Sequence, residues 1–219
     1  MTPPSDPVAT PLRSMEPGKA IWSWRGDDAA VADYVAAHIR SDRPSTIAVA
    51  GGHTPGPILG RLRRRALPWN RACFVPTDER LVPPAHPDSN YGMLSRALDD
   101  TPALIGRLGE TNPASGFDLV WLGMGEDGKI ASLFTTQDAM RPGCDTVIRT
   151  RPAAASRHAA HERASLSLDA ICRARDVILV IRGRQKRRLV ESALSGKDDL
   201  AVSRLFSAMP FPVRIFWCP

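Results

Sequence analysis

The chain has 219 residues, 43% of them hydrophobic and 24% charged, ordinary values for a soluble globular protein with one sizeable core. Lysine and arginine outnumber aspartate and glutamate 29 to 23, yet the basic runs RLRRR (61–65) and RQKRR (184–188) fall in helical patterns without interleaved aromatics, which argues against nucleic acid and for anionic metabolites. Cys73, Cys144, Cys172 and Cys218 form no C-x-x-C pair, which argues against zinc and redox motifs and fits a reducing cytoplasm, and no apolar stretch is long enough to cross a membrane.

Residues 1–15, MTPPSDPVATPLRSM, are proline-rich with no apolar core, so they read as a loose tail and not a signal peptide, ahead of one domain over 16–219. From Asp27, DDAAVADYVAAHIRS places acidic residues first and apolar residues at helical spacing, which predicts a helix capped by aspartate. TIAVA (46–50) predicts a strand ending in GGHTPG, and PGPILGRLRRRAL (55–67) a helix with proline tolerated in its first turn. ACFVP (72–76) is a second strand, closed by TDER. SNYGMLSRAL (89–98) is a helix, and FDLVWLG (117–123) a buried strand running into GMGEDGKI. RPAAASRHAA (151–160) reads as a surface loop. DVILVIRG (176–183) is the strongest strand signal; it leads to QKRRLVESALSG, a helix stopped by Gly196, and then a last strand, PVRIFW (212–217).

This alternation of strand, glycine turn and helix predicts a single-domain Rossmann-like α/β fold, a mostly parallel sheet with helices on both faces. GGHTPG, TDER and GMGEDGK each follow a strand, so all three should gather beyond the strands' carboxyl ends, where such sheets bind ligands. Gly51 and Gly52 allow a tight turn, and the amides of His53 and Thr54 then face a helix mouth suited to one phosphate; an ordinary strand-to-helix turn is the alternative. His53 has no second ligand at a usable spacing, so no metal site is indicated. In TDER, Arg80 can hold a phosphate and Asp78 can accept hydrogen bonds from sugar hydroxyls, against the alternative of salt-bridged surface charges. GMGEDGKI looks like a P-loop but is not one. Ile130 stands where the Mg²⁺-ligating hydroxyl belongs, and Glu126 and Asp127 repel a triphosphate.

Taken in order, GGHTP, TDER with DSNYG after it, FDLVWLGMGEDGKIASLF, ERASLSL and IRGRQK resemble the motifs of the 6-phosphogluconolactonases, from about Ala20 to the C-terminus. The wider group, which includes glucosamine-6-phosphate deaminases, carries similar motifs that read GG-S-TP, DER, G-x-G-x-DGH-x-ASLF and R-x-T-L-T. Deaminases look like DGHIAFNEPG where this chain has DGKIASLFT, and the acid that follows their asparagine has no counterpart here, which favours the lactonase branch. The resemblance implies hydrolysis of 6-phospho-D-glucono-1,5-lactone to 6-phosphogluconate in the oxidative pentose phosphate pathway. It implies a small-molecule sugar phosphate as partner, no metal or organic cofactor, no nucleic acid and no membrane; a cytoplasmic monomer or small homo-oligomer is expected. It also implies a phosphate held by the Gly51–Thr54 turn, Arg163 and Lys186, with Asp78, Arg80 and Asn90 lining the same pocket. By local sequence alone Arg163 and Lys186 are surface cations.

One position departs from the family. Its DGH is DGK here, so Lys129 stands where the resemblance expects a general-base histidine steadied by the preceding acid, Asp127. Lysine as a class ionises near about pH 10.4, leaving on the order of one free amine in a thousand at neutral pH, and the acids beside it favour the charged form. Three expectations stay open. Lys129 is a cation that stabilises the oxyanion while another group, His53 among the candidates, activates water; or it is a neutral base, with activity rising toward alkaline pH; or the chain is a sugar-phosphate binder that has lost the reaction, a regulator or pseudoenzyme. In addition, ERASLSL has serines in place of the family's threonines, and Thr135 stands where the family commonly has proline.

Overall fold

The computed structural model describes residues 20–111, 113, 116–134, 146–151, 161–196 and 198–219. The expected tail, nearly all of the expected loop at 151–160, Thr135 and Cys144 lie outside them. In chain order the strands are β1 (Ala20–Trp22), β2 (Ser45–Val49), β3 (Ala72–Pro76), β4 (Asp78–Arg80), β5 (Leu104–Ile105), β6 (Leu119–Leu122), β7 (Val147–Thr150), β8 (Arg163–Leu166), β9 (Val177–Arg182) and β10 (Val213–Cys218). Seven of them pair in the order β1-β10-β9-β6-β2-β3-β5, every pair parallel.

The reason these runs become central parallel strands is visible in their burial. In β9 Val177, Leu179 and Ile181 enter one apolar cluster while Ile178 and Val180 enter the other. In β6 Val120 and Leu122 face the first cluster, Leu119 and Trp121 the second. Side chains alternate across a strand, so a run apolar at every position can be satisfied only by cover on both faces. Helices α1 (Asp28–Ala36), α2 (Pro55–Leu62) and α3 (Asn90–Ala97) supply that cover on one side. Helices α4 (Leu168–Cys172), α5 (Arg184–Leu194) and α6 (Ala201–Ala208) supply it on the other. Among the described residues no helix is long and apolar enough to cross a membrane.

The helix starts follow their polar caps. Asp27 accepts the Ala30 amide at 2.9 Å to open α1, and Ser89 accepts the Gly92 amide at 3.0 Å to open α3. α2 stops at Leu62, short of the Leu67 suggested by the pattern. The arginines that follow are drawn into ion pairs instead, Arg63 with Asp99 and Asp100, and Arg65 with Asp33. Consequently RQKRR lies within a helix while RLRRR only begins in one.

The sequence reading did not anticipate a second, three-stranded antiparallel sheet, β4-β8-β7. TDER does close β3, but it then continues as β4, placing Asp78 opposite Ser165 and Arg80 opposite Arg163. This small sheet stands directly after β3 and turns one wall of polar residues toward the carboxyl ends of the main strands.

Candidate active site

At those carboxyl ends lies a cleft of about 280 Å³. Its floor is apolar: Ala50, Trp121, Met124 and Val180, all buried. Its walls come from the three segments expected to meet there, together with β8 and α5. Gly51, Gly52, His53 and Thr54 supply one side, Asp78, Arg80 and Asn90 another, and Lys129, Arg163 and Lys186 complete the ring. Of the residues assigned to the site from the sequence, Asp127 alone stands outside this lining.

The glycine turn is built for close approach. Gly52 has φ of +88°, a left-handed conformation that suits glycine. A Cβ on Gly51 would sit 2.3 Å from Asn90 Oδ1, so that position must stay bare for Asn90 to enter the wall. Among the described residues the amides of Gly51, Gly52, His53 and Thr54 donate to no backbone carbonyl. Thr54 caps α2 without a side-chain bond, and Pro55 fills the first helical position. The donors of this turn are therefore presented to the cleft mouth, where an anion can take them.

Facing the turn, Asp78 organises a buried group. Ser132 Oγ donates to its Oδ2 at 2.5 Å. Asn90 Nδ2 donates to its backbone carbonyl at 2.7 Å, and Arg163 Nη1 lies 3.6 Å from Oδ2. Arg163 is 6% exposed, and its Nε has no protein partner. Burial holds this guanidinium below the ordinary arginine range, with the Asp78 charge opposing that shift. Arg80 is anchored by donation to the Asp88 carbonyl at 2.6 Å and to Asn90 Oδ1 at 3.3 Å. Burial likewise depresses Lys186 below the usual lysine range; the charge of Glu126 opposes the shift and that of Lys129 adds to it.

Lys129 reaches the cleft from a closed loop. Its carbonyl accepts the Gly125 amide at 2.9 Å, and its Nζ lies 3.3 and 3.4 Å from the two carboxylate oxygens of Asp127. Burial pushes the Asp127 carboxyl up, but the Lys129 charge and its hydrogen bonds prevail and leave it below the ordinary range. Asp127 thus backs the lysine from outside the lining. Gly125 makes room for the pair, since a Cβ there would meet Asp127 Oδ1 at 2.3 Å and Lys129 Nζ at 2.7 Å. Ala131, a wall residue two positions on, has φ of +46°, a conformation rare outside glycine and often found beside functional sites.

Two participants escaped sequence reasoning. Ser132 sits in the quoted motif IASLF, but its hydroxyl carried no signal that it would meet Asp78, a residue 54 positions away. The apolar floor was read as strand core, and only the fold shows that Trp121 and Val180 also underlie the cleft.

The architecture is shared with solved structures of known class. A 6-phosphogluconolactonase from Shewanella baltica OS155 matches with a TM-score of 0.76 and 23% identity, covering 91% of this chain and 97% of that one. A monomeric glucosamine-6-phosphate deaminase matches with a TM-score of 0.73 and 15% identity, also covering 91% and 97%. These likenesses establish an α/β fold that hosts both chemistries. The chain belongs to the family of glucosamine-6-phosphate isomerases/6-phosphogluconolactonase, which matches residues 28–108 and 100–214. The 6-phosphogluconolactonase of Mesorhizobium japonicum is 30% identical over 212 residues, 86% of this chain and 88% of the relative. That of Pseudomonas putida is 28% identical over 233 residues, 97% and 95% of the two chains.

Proposed function

We propose that this protein hydrolyses 6-phospho-D-glucono-1,5-lactone to 6-phosphogluconate, the open acid of the oxidative pentose phosphate pathway. The observation that carries the reading is the convergence, in one cleft, of a turn whose amides meet no backbone carbonyl with Arg80, Arg163, Lys186 and Lys129. Relatives named for this activity, aligned over most of the chain, support it. The Gly51–Thr54 amides, Lys186 and Arg163 are assigned to the phosphate, as charge-assisted donors around a monoanion or dianion. Asp78, whose carboxylate already meets Ser132 and Arg163, is assigned to holding the arginine in place.

In the reaction water adds to C1 of the lactone, the C1–O5 ring bond breaks, and O5 leaves with a proton. Negative charge builds on the carbonyl oxygen as water adds. Lys129 is assigned to that oxygen, as an ammonium positioned by Asp127 from behind. A pre-positioned donor of this kind is worth about 10²–10³ in rate. A cyclic ester is already activated, so orientation and charge stabilisation give useful acceleration.

The test follows lactone decay by NMR, with substrate generated in place by glucose-6-phosphate dehydrogenase. A charge role needs no free amine, so Lys129→Arg keeps most of the rate while Lys129→Gln loses about 10²–10³-fold. Loss in both variants would instead make Lys129 the base. A wild type that leaves lactone decay unchanged, yet is stabilised by 6-phosphogluconate, would sink the hydrolase reading and leave a binder. A reducing compartment is part of the proposal, supported by free thiols at Cys73, Cys172 and Cys218.

A further inference from the structure

We propose that His86, Asp88 and His161 form a binding site for a divalent transition-metal ion of the zinc class, outside the cleft lining and linked to it through the bond from Arg80 to the Asp88 carbonyl. The three residues come from two distant stretches of chain, the segment between β4 and α3 and the one leading into β8. One potential ligand atom from each lies within 4.8 Å of the other two. His161 Nε2 is 3.4 Å from Asp88 Oδ2, and the imidazoles of His86 and His161 meet edge to face with centroids 5.6 Å apart. The Asp88 amide donates to His86 Nδ1 at 3.1 Å, so the lone pair of that ring is engaged here and His86 must give up this bond to ligate an ion.

A tetrahedral zinc ion, with bonds of about 2.0–2.2 Å, holds its ligand atoms roughly 3.4 Å apart. The His161–Asp88 separation already has that value, and His86 closes the rest by side-chain rotation at a partly exposed surface. Two imidazoles and one carboxylate suit zinc, cobalt or nickel better than calcium or magnesium, which take oxygen donors. Water completes the coordination in the fourth position.

The site has a structural consequence for the cleft. Asp88 holds Arg80 through its carbonyl, and His161 stands two residues before Arg163, which pairs with Arg80 across β4 and β8. A metal ion at His86, Asp88 and His161 therefore ties together the two segments that carry these arginines. None of its three ligands lines the cleft, so the inference stands whether or not the proposed hydrolysis does.

The experiment uses the untagged full chain, stripped with chelator, and titrates zinc by calorimetry alongside cobalt by visible absorption. One ion per chain is expected, with the d–d bands of a low-symmetry cobalt site and a higher thermal midpoint on zinc addition. His86→Ala, His161→Ala and the conservative Asp88→Asn should each weaken zinc binding at least tenfold and abolish the thermal shift. Circular dichroism of the variants confirms that they fold. No uptake at about 100 μM free zinc, or uptake unchanged in all three variants, overturns the proposal; the second result would locate zinc elsewhere, for example at the cysteines.

Discussion

At the amino-terminal edge of the sheet, Asp118 and Asp176 lead into β6 and β9 and are both buried. Asp118 accepts the Thr46 amide at 2.8 Å and meets Arg43 at 2.6 Å. Asp176 accepts the Tyr34 hydroxyl at 2.6 Å and faces His38 Nε2 at 3.0 Å. At the carboxyl edge the charges are arranged otherwise: Arg163 keeps a buried Nε without a protein partner, and Lys186 is held below its ordinary ionisation range by burial. At one edge, then, each buried carboxylate takes the protein's own donors on Oδ2 and serves the fold, while Oδ1 of Asp176 has no hydrogen-bond partner and Oδ1 of Asp118 meets only the ion pairs of Arg43 and Arg175. At the other, cations are left short of partners, which costs stability and reserves them for a ligand.

Perturbations at the two edges should therefore have opposite signatures. The largest effect after Lys129 itself is expected for Gly125→Ala. The new Cβ would meet Asp127 Oδ1 and both Nζ and Cγ of Lys129, so these two side chains must move. The thermal midpoint should change little while lactone hydrolysis falls about 10²-fold, the typical penalty for misplacing a reacting group by an ångström. Lys186→Met should weaken 6-phosphogluconate binding about 10–100-fold, the worth of one charged hydrogen bond. It should also raise the midpoint. The sign follows from the depressed ionisation of this lysine: at neutral pH the folded state carries a charge that burial disfavours, and methionine removes it. A fall in midpoint in a calorimetric scan would break the comparison.

At the other edge the pattern reverses. Asp118→Ala strands the Thr46 amide and should cost about 1–3 kcal/mol, or roughly 2–4 °C for each kcal/mol, with ligand affinity unchanged. The smallest effect belongs to His38. Its Nδ1 donates to the Tyr34 carbonyl at 2.9 Å, and its Nε2 faces Asp176, so both ring nitrogens meet acceptors. Burial lowers its ionisation range, but the Asp176 hydrogen bond and charge more than offset this and raise it overall. The stability it contributes is present below about pH 6.5, the ordinary histidine value, and is lost as pH rises through the raised one. Accordingly His38→Gln should lower the midpoint more near pH 6 than near pH 8.5. Equal losses at both would remove the charge from the account.

How much of this was legible depended on the type of signal. TIAVA, ACFVP and DVILVIRG announced central strands because burial on both faces leaves an unbroken apolar run. GGHTPG and GMGEDGK announced turns because glycine there takes a left-handed backbone, at Gly52 and Gly128, or admits a neighbour that a Cβ would strike, at Gly51 and Gly125. β4 and β8 gave no such sign. DER and RASL are short and polar, and their pairing depends on a partner some eighty residues away, a relation that no local pattern carries. For the same reason Arg163 and Lys186 read locally as surface cations, and only the resemblance of whole motifs drew them inward. Conversely, the departure at Lys129 was legible at once, but its pairing with Asp127 required coordinates.

The sheet order also sets a schedule for the chain. β1 joins the sheet only through β10, so the first described strand has its hydrogen-bonding neighbour in Val213–Cys218. On the ribosome, Ala20–Trp22 must wait for nearly all the rest of the described chain to emerge before that edge can close. The cleft draws on segments as late as Lys186. A nascent or truncated chain can thus bury much of its core without yet holding a complete sugar-phosphate pocket.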